Sequence, residues 1–373
     1  MKDGAACDIS RPPRQHLTES SPMGPMCTEL RAADGVRIEA AYTPYAAPRP
    51  GEDSGTAARP ADGEAGPGAL VLAHGFTGAL DKPALRRAAT AFSRHAAVVT
   101  FSFRGHGRSG GHSTVGDREV LDLAAAVAWA RSLGHRRVAT IGFSMGGSVV
   151  LRHGALYRPG APDGYTPSTP DPVKHRGRTV ARESDGSGRG DGGEAEPADA
   201  HADAVVAVSA PARWYYRGTA PMRRLHWAIQ HPLGRLVARY GLRTRVHHRD
   251  WNPVPLSPVA AAELIAPVPL LLVHGDQDPY FPLDHPLSLA EAADPEACEL
   301  WIEAGFGHAE NSAEPALLHR IGAWTATRIH AAAARPHHGS RESAAGTRRT
   351  QGTGRPPEPG ATGGADRTEG TDG

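Results

Sequence analysis

Short, unbroken apolar runs alternate with stretches of helical periodicity along most of this chain. ALVLAH (69–74), AVVTFSF (97–103), RVATIGF (137–143), AVVAVSA (204–210), PLLLVHG (269–275) and CELWI (298–302) have the length and β-branched content of strands. Between them lie helical patterns at 82–95 and at 117–133, where Val120, Leu121, Ala124, Val127 and Ala128 form one stripe, and a further helix runs from MGGSVV onward. A last helix is expected over about 312–334. Strands apolar on both faces and alternating with helices predict an α/β fold with a mostly parallel central sheet covered on both sides. LRAADGVRIEAAYTP (30–44) differs: it reads as an antiparallel hairpin turning at Asp34-Gly35 and adding edge strands before the parallel section.

Three segments lack this patterning. Residues 1–27, 159–203 and 334–373 are polar, rich in Gly and Pro, and almost free of large apolar side chains. None can bury enough surface to offset an ordering cost of about 1–2 kcal/mol per residue, so they are expected to be an unfolded N-terminus, an unfolded insert and an unfolded tail. The folded domain is expected at 28–333. Residues 211–266 are too long for a simple crossover and predict a small helical cap.

Composition narrows the function classes. The chain has 373 residues and a formal net charge of +1, which gives no general reason to expect nucleic acid as a partner. Its 41 basic residues include only 3 Lys, a bias that lowers the weight of any single Arg. Residues 213–249 hold nine Arg and no acid. That run is expected to be a solvated face, while Trp214, Tyr215, Tyr216, Trp227 and Tyr240 are expected to line an apolar substrate pocket. Cys7, Cys27 and Cys298 are far apart and are expected to form neither a disulfide framework nor a metal site, which fits a reducing compartment. With no signal-peptide pattern and no membrane-length apolar run, a cytoplasmic protein without stable membrane insertion is expected. Protein partners stay open.

RGHGRSGGHS (104–113) holds both a G-x-G-x-x-G and a G-x-S-x-G. The first requires a helix opening directly at the glycines and an acid about 20 residues on, and neither is there. The second, centred on Ser109, has no helix after it. Gly142-Phe143-Ser144-Met145-Gly146 has a strand before and a helix after, the setting of a nucleophile elbow, with Gly142 and Gly146 leaving room for a strained turn. Ser144 is therefore the candidate nucleophile, and Ser109 a coincidence of spacing. A serine hydroxyl needs a base, an orienting acid and oxyanion donors. HGDQDPYFP offers Asp276 and Asp278 at a strand end, and EAGFGHAE offers His308. AHGFTGA (73–79), with Gly75, can present the Phe76 N–H as one oxyanion donor, and Met145 N–H the other. His74, His106, His247 and His248 read as core, rim or solvent residues, and no spacing suggests a metal.

HGFTG, FRGHGRSGG, GFSMGG, HGDQDPYFP and GFGH, in this order, resemble an α/β-hydrolase fold serine hydrolase of the serine aminopeptidase, monoglyceride lipase and lysophospholipase-like branch. The resemblance covers about 28–158 and 204–333. It implies Asp278 as the acid, His308 as the base, an acyl-enzyme formed on small-molecule acyl substrates such as carboxylic esters, and no cofactor or metal. An acyltransferase using the same triad, or a non-catalytic binding relative, is the alternative. The 159–203 insert departs from the family's pattern.

Overall fold

A computed structural model describes residues 25–47, 68–158 and 200–333, all within one compact unit. The expected unfolded segments therefore fall almost wholly outside the described residues. The exceptions are their inner edges. Met26 and Cys27 begin a strand, and Ala200, Ala202 and Asp203 are buried. Asp203 exchanges two hydrogen bonds with the Val138 backbone, at 2.7 and 2.8 Å, and pairs with Arg131 and Arg137. These contacts join the far end of the insert to the sheet.

Among the described residues eight strands form one sheet: β1 (Met26–Arg31), β2 (Arg37–Thr43), β3 (Ala69–Ala73), β4 (Ala97–Phe101), β5 (Val138–Phe143), β6 (Ala204–Val208), β7 (Leu270–Gly275) and β8 (Cys298–Glu303). Their order is β1-β2-β4-β3-β5-β6-β7-β8. β1 and β2 pair antiparallel, as do β2 and β4, and all later pairings are parallel. The hairpin turn is where the Asp34-Gly35 signal predicts it, with Gly35 at φ +82°, a value that glycine adopts without a Cβ clash. Buried Arg104 ties this hairpin to the body by pairing with Asp34 at 2.6 Å and Asp122 at 2.7 Å.

The apolar runs fill both faces of the sheet by the two-residue alternation of a strand. Leu70, Leu72, Val98, Ile141 and Val206 face one cluster with α1 (Pro83–Phe92) and α9 (Pro315–Ala333). Val71, Val99, Phe101, Val205 and Leu272 face the other, with α2 (Glu119–Ser132) and α3 (Met145–Leu156). After β6 the chain forms α4 (Ala220–Gln230), α5 (Pro232–Tyr240) and α6 (Pro258–Ala262), the helices expected of 211–266. α7 (Asp284–Ala292) and α8 (Ala309–Ser312) complete the fold. No helix among the described residues is long and apolar enough to cross a membrane.

Cys298 is free but Cys27 is disulfide-bonded, its partner lying outside the described residues. The expectation of unbridged cysteines fails at Cys27, and with it the compartment argument drawn from them. Distance along a sequence does not report distance through space.

From β3 the chain steps to β4 on one side, then returns to place β5 on the other side of β3. Loops that leave the carboxyl ends of β3 and β5 thus diverge and leave a crevice, the switch point at which open α/β sheets bind ligands.

Candidate active site

Ser144 stands in that crevice, between β5 and α3. Its backbone has φ 53° and ψ −113°, a conformation a β-region or helical residue does not take. The strained turn exists because the residues two positions away on either side, Gly142 and Gly146, have no side chains. A Cβ on Gly142 would lie 2.1 Å from the Gly146 carbonyl oxygen, and one on Gly146 would lie 2.2 Å from that of Ala73. These obstacles are backbone of a packed helix and a packed strand and cannot swing aside. Gly146→Ala is therefore expected to cost about 3 kcal/mol or more by overpacking. Urea denaturation of native and variant protein measures this, and an unchanged midpoint would contradict it.

His308 Nε2 lies 2.9 Å from Ser144 Oγ, and His308 Nδ1 lies 2.7 Å from Asp278 Oδ2. With Nδ1 protonated toward the carboxylate, Nε2 is free to accept the serine proton. The Asp278 side chain is fully buried, and its Oδ1 accepts the N–H groups of Tyr280 at 2.8 Å and Phe281 at 3.1 Å. Burial alone would push this carboxyl up. The hydrogen bond and charge of His308 and the two N–H groups outweigh it, holding Asp278 below its ordinary range and ionised. Asp276, the other acid of HGDQDPYFP, points elsewhere. Its Oδ1 accepts Gly305 N–H at 2.7 Å and closes the turn after β8.

His274 approaches Asp278 Oδ2 to 3.6 Å, yet its Nε2 donates to the Phe281 carbonyl at 2.9 Å. Burial keeps it neutral by lowering its pKa, so it packs behind the acid without competing for its charge.

Gly75 and Phe76 follow β3. A Cβ on Gly75 would come within 3.5 Å of Ser144 Cβ, so this loop lies directly against Ser144. Among the described residues no acceptor takes the N–H of Phe76 or of Met145, and Met145 opens α3, whose N-terminus favours negative charge. The Phe76 carbonyl is held by His106 Nε2, and His74, neutral with a pKa of about 3 through burial, bonds Gly75 O at 2.7 Å and Phe103 N–H at 3.0 Å. Both histidines are core residues that shape the loop.

Ser109 is buried, accepts Glu39 N–H at 3.0 Å and donates to Ser102 O at 2.6 Å. Its hydroxyl holds the loop after β4 against β2, which fits the structural reading of 104–113.

Three supporting residues are invisible in the sequence patterns. Ser209, at φ 52° after β6, accepts Ala309 N–H through its Oγ at 3.0 Å, fixing the residue beside His308. Ser312 Oγ accepts the N–H of His308 itself at 3.2 Å. Glu310 is buried and accepts Gly75 N–H at 3.0 Å through Oε1, joining the histidine loop to the β3 loop, while its Oε2 has no hydrogen-bond partner.

Burial pushes the Glu310 carboxyl above its ordinary range. A carboxyl raised by folding holds its proton more tightly in the folded than in the unfolded chain. Its favourable contribution is complete below the unfolded value, about 4.3, and is lost as pH rises through the folded one. Glu310→Gln keeps an oxygen for Gly75 without the charge. The variant is expected to gain thermal stability relative to the native protein as pH rises from about 5 to about 8. A stability difference that does not move with pH would contradict this.

A cavity of about 190 Å³ lies between the loop after β4 and the cap, lined among others by Ser113, Thr114, Tyr215, His226, Arg235 and Trp251. Ser144, Asp278 and His308 are not in its lining. Of the five aromatics expected around a pocket, only Tyr215 reaches it. Trp214 packs on Trp251, Tyr216 packs on His285, and Trp227 and Tyr240 are exposed. On α5 the small residues Gly234 and Ala238 face inward instead, which turns Tyr240 out. Among the described residues no group of three or more His, Cys, Asp or Glu could hold a metal ion.

A family model described as the alpha/beta hydrolase fold matches residues 68–174, the segment from β3 through α3 and beyond. The esterase Pf2001 of Pyrococcus furiosus is 18% identical, with a TM-score of 0.51 over 86% of this chain and 98% of the esterase. The α/β hydrolase GrgF from Penicillium sp. sh18 is 17% identical, with a TM-score of 0.51 over 83% of this chain and all of GrgF. No curated protein matches the sequence.

Proposed function

For a chain that has the α/β-hydrolase fold, we propose a serine hydrolase that cleaves carboxylic esters through an acyl-enzyme. The observation that carries this reading is the relay Ser144–His308–Asp278, at 2.9 and 2.7 Å, on a strained turn at the switch point of the sheet.

In the first half-reaction Ser144 Oγ attacks the ester carbonyl as its proton passes to His308 Nε2. Asp278 orients the ring and stabilises the imidazolium that forms. The N–H groups of Phe76 and Met145 receive the developing oxyanion. The tetrahedral intermediate collapses as the C–O bond to the alcohol breaks and His308 protonates the departing oxygen. In the second half-reaction His308 takes a proton from water, whose oxygen attacks the acyl group. Collapse releases the carboxylic acid and returns the proton to Ser144. Besides water, every group that acts belongs to the chain itself.

The reading is tested on p-nitrophenyl esters of graded chain length. An initial burst of phenol equal to the enzyme present, followed by slower steady turnover, is the signature of an acyl-enzyme whose hydrolysis is the slower step. Turnover no faster than the uncatalysed reaction with every ester would overturn it.

A further inference from the structure

α5 packs the wrong way round for a helix folded to bury its apolar side. Gly234 and Ala238 face inward, and a Cβ on Gly234 would meet the α4 backbone at Trp227 O, 2.5 Å away. Leu233, Leu236, Val237 and Tyr240, spaced i, i+3, i+4, i+7, face solvent with exposures of 59, 51, 49 and 73%. By contrast, α1 turns Leu85 and Phe92 into the core. Trp227, whose carbonyl abuts Gly234, and Leu242 just beyond the helix are exposed as well. A contiguous apolar stripe on an outer helix marks a surface that meets something other than water.

Charge indicates what it meets. Arg239 and Arg243 are exposed beside the stripe, Arg223 and Arg224 are exposed on α4, and the whole run 213–249 has no acid. Arg213, by contrast, is already paired with Asp284. Large apolar side chains framed by cations with long aliphatic stems suit an interface of acyl chains beneath anionic headgroups.

We infer that the outer face of the cap, centred on α5, docks on anionic phospholipid bilayers. Leu233, Leu236, Val237 and Tyr240 enter the acyl boundary while Arg239 and Arg243 rest among the headgroups. The inference stands apart from the hydrolase reading, because neither the stripe nor its arginines belong to the relay.

The full chain is tested by flotation with phosphatidylcholine vesicles with and without phosphatidylglycerol, at low and high salt. Binding is expected to be at least roughly ten-fold stronger with phosphatidylglycerol at low salt, and to weaken as salt screens the headgroups. Leu233→Ser with Leu236→Ser and Tyr240→Ser is expected to lower binding by roughly ten-fold or more. Arg239→Gln with Arg243→Gln is expected to remove the preference for the anionic lipid. These side chains are exposed, so the thermal midpoint should stay at the native value and separate lost docking from lost folding. Failure to float with phosphatidylglycerol vesicles at low salt would overturn the inference, as would equal binding by the triple variant. A concentration-dependent dimer abolished by the triple variant, without vesicle binding, would assign the face to a second copy and overturn it too.

Discussion

Ser144→Ala is expected to lower ester turnover by roughly 10⁵–10⁶-fold, the scale lost when a triad nucleophile is removed. The magnitude follows from how the relay divides its labour. Without Oγ there is no acyl-enzyme, and His308 Nε2, 2.9 Å away in the native protein, has no nucleophile to deprotonate. In the proposed mechanism what remains is binding and the proposed oxyanion donors, the N–H groups of Phe76 and Met145, which leave a small residual rate. Folding should be little affected. The hydroxyl's contact is with His308, and the Ser144 N–H bond to Val208 O at 2.9 Å survives the substitution. Alanine must still adopt a positive φ, so a modest loss of stability is expected. Steady-state kinetics beside thermal denaturation separates the two effects, and a variant retaining more than roughly a hundredth of native kcat would contradict the assigned role.

Asp278→Asn is expected to lower kcat by about 10⁴-fold, while Asp276→Asn stays within a few-fold of native. The asymmetry comes from what each carboxylate touches. Asp278 Oδ2 meets His308 Nδ1 at 2.7 Å, and an amide presenting its NH₂ there would favour the tautomer with the proton on Nε2. That tautomer cannot accept from Ser144. The Asp276 carboxylate accepts the Gly305 N–H instead, so its loss loosens a surface turn. The two variants are compared in kcat on one ester, and a severe loss confined to Asp276→Asn would move the acid to that position.

The elbow was legible because its signal is local. Strand, two glycines, serine and helix follow one another within a dozen residues, and the same test of context sets Ser109 aside. β3 to β7 were legible for a similar reason, since strands buried on both faces leave unbroken apolar runs. The choice between Asp276 and Asp278 rested on resemblance alone, because both follow the same strand and only tertiary contact distinguishes them. Ser209 and Glu310 had no pattern at all. They act across 100 and 235 residues of chain, and their partners are backbone N–H groups that leave no trace in composition. The cap misled for a physical reason. Periodicity shows that α5 has an apolar stripe but not which side of the helix turns inward. The side with Gly234 wins that contest because a Cβ there would meet the α4 backbone at 2.5 Å.

That Ser144 is a nucleophile activated by His308, whose ring Asp278 holds, is tested most directly by a fluorophosphonate probe with mass mapping of the modified residue. A single adduct on Ser144 is expected in the native protein and none in Ser144→Ala. An unlabelled native protein, or a Ser144→Ala variant that still takes the probe, would contradict it.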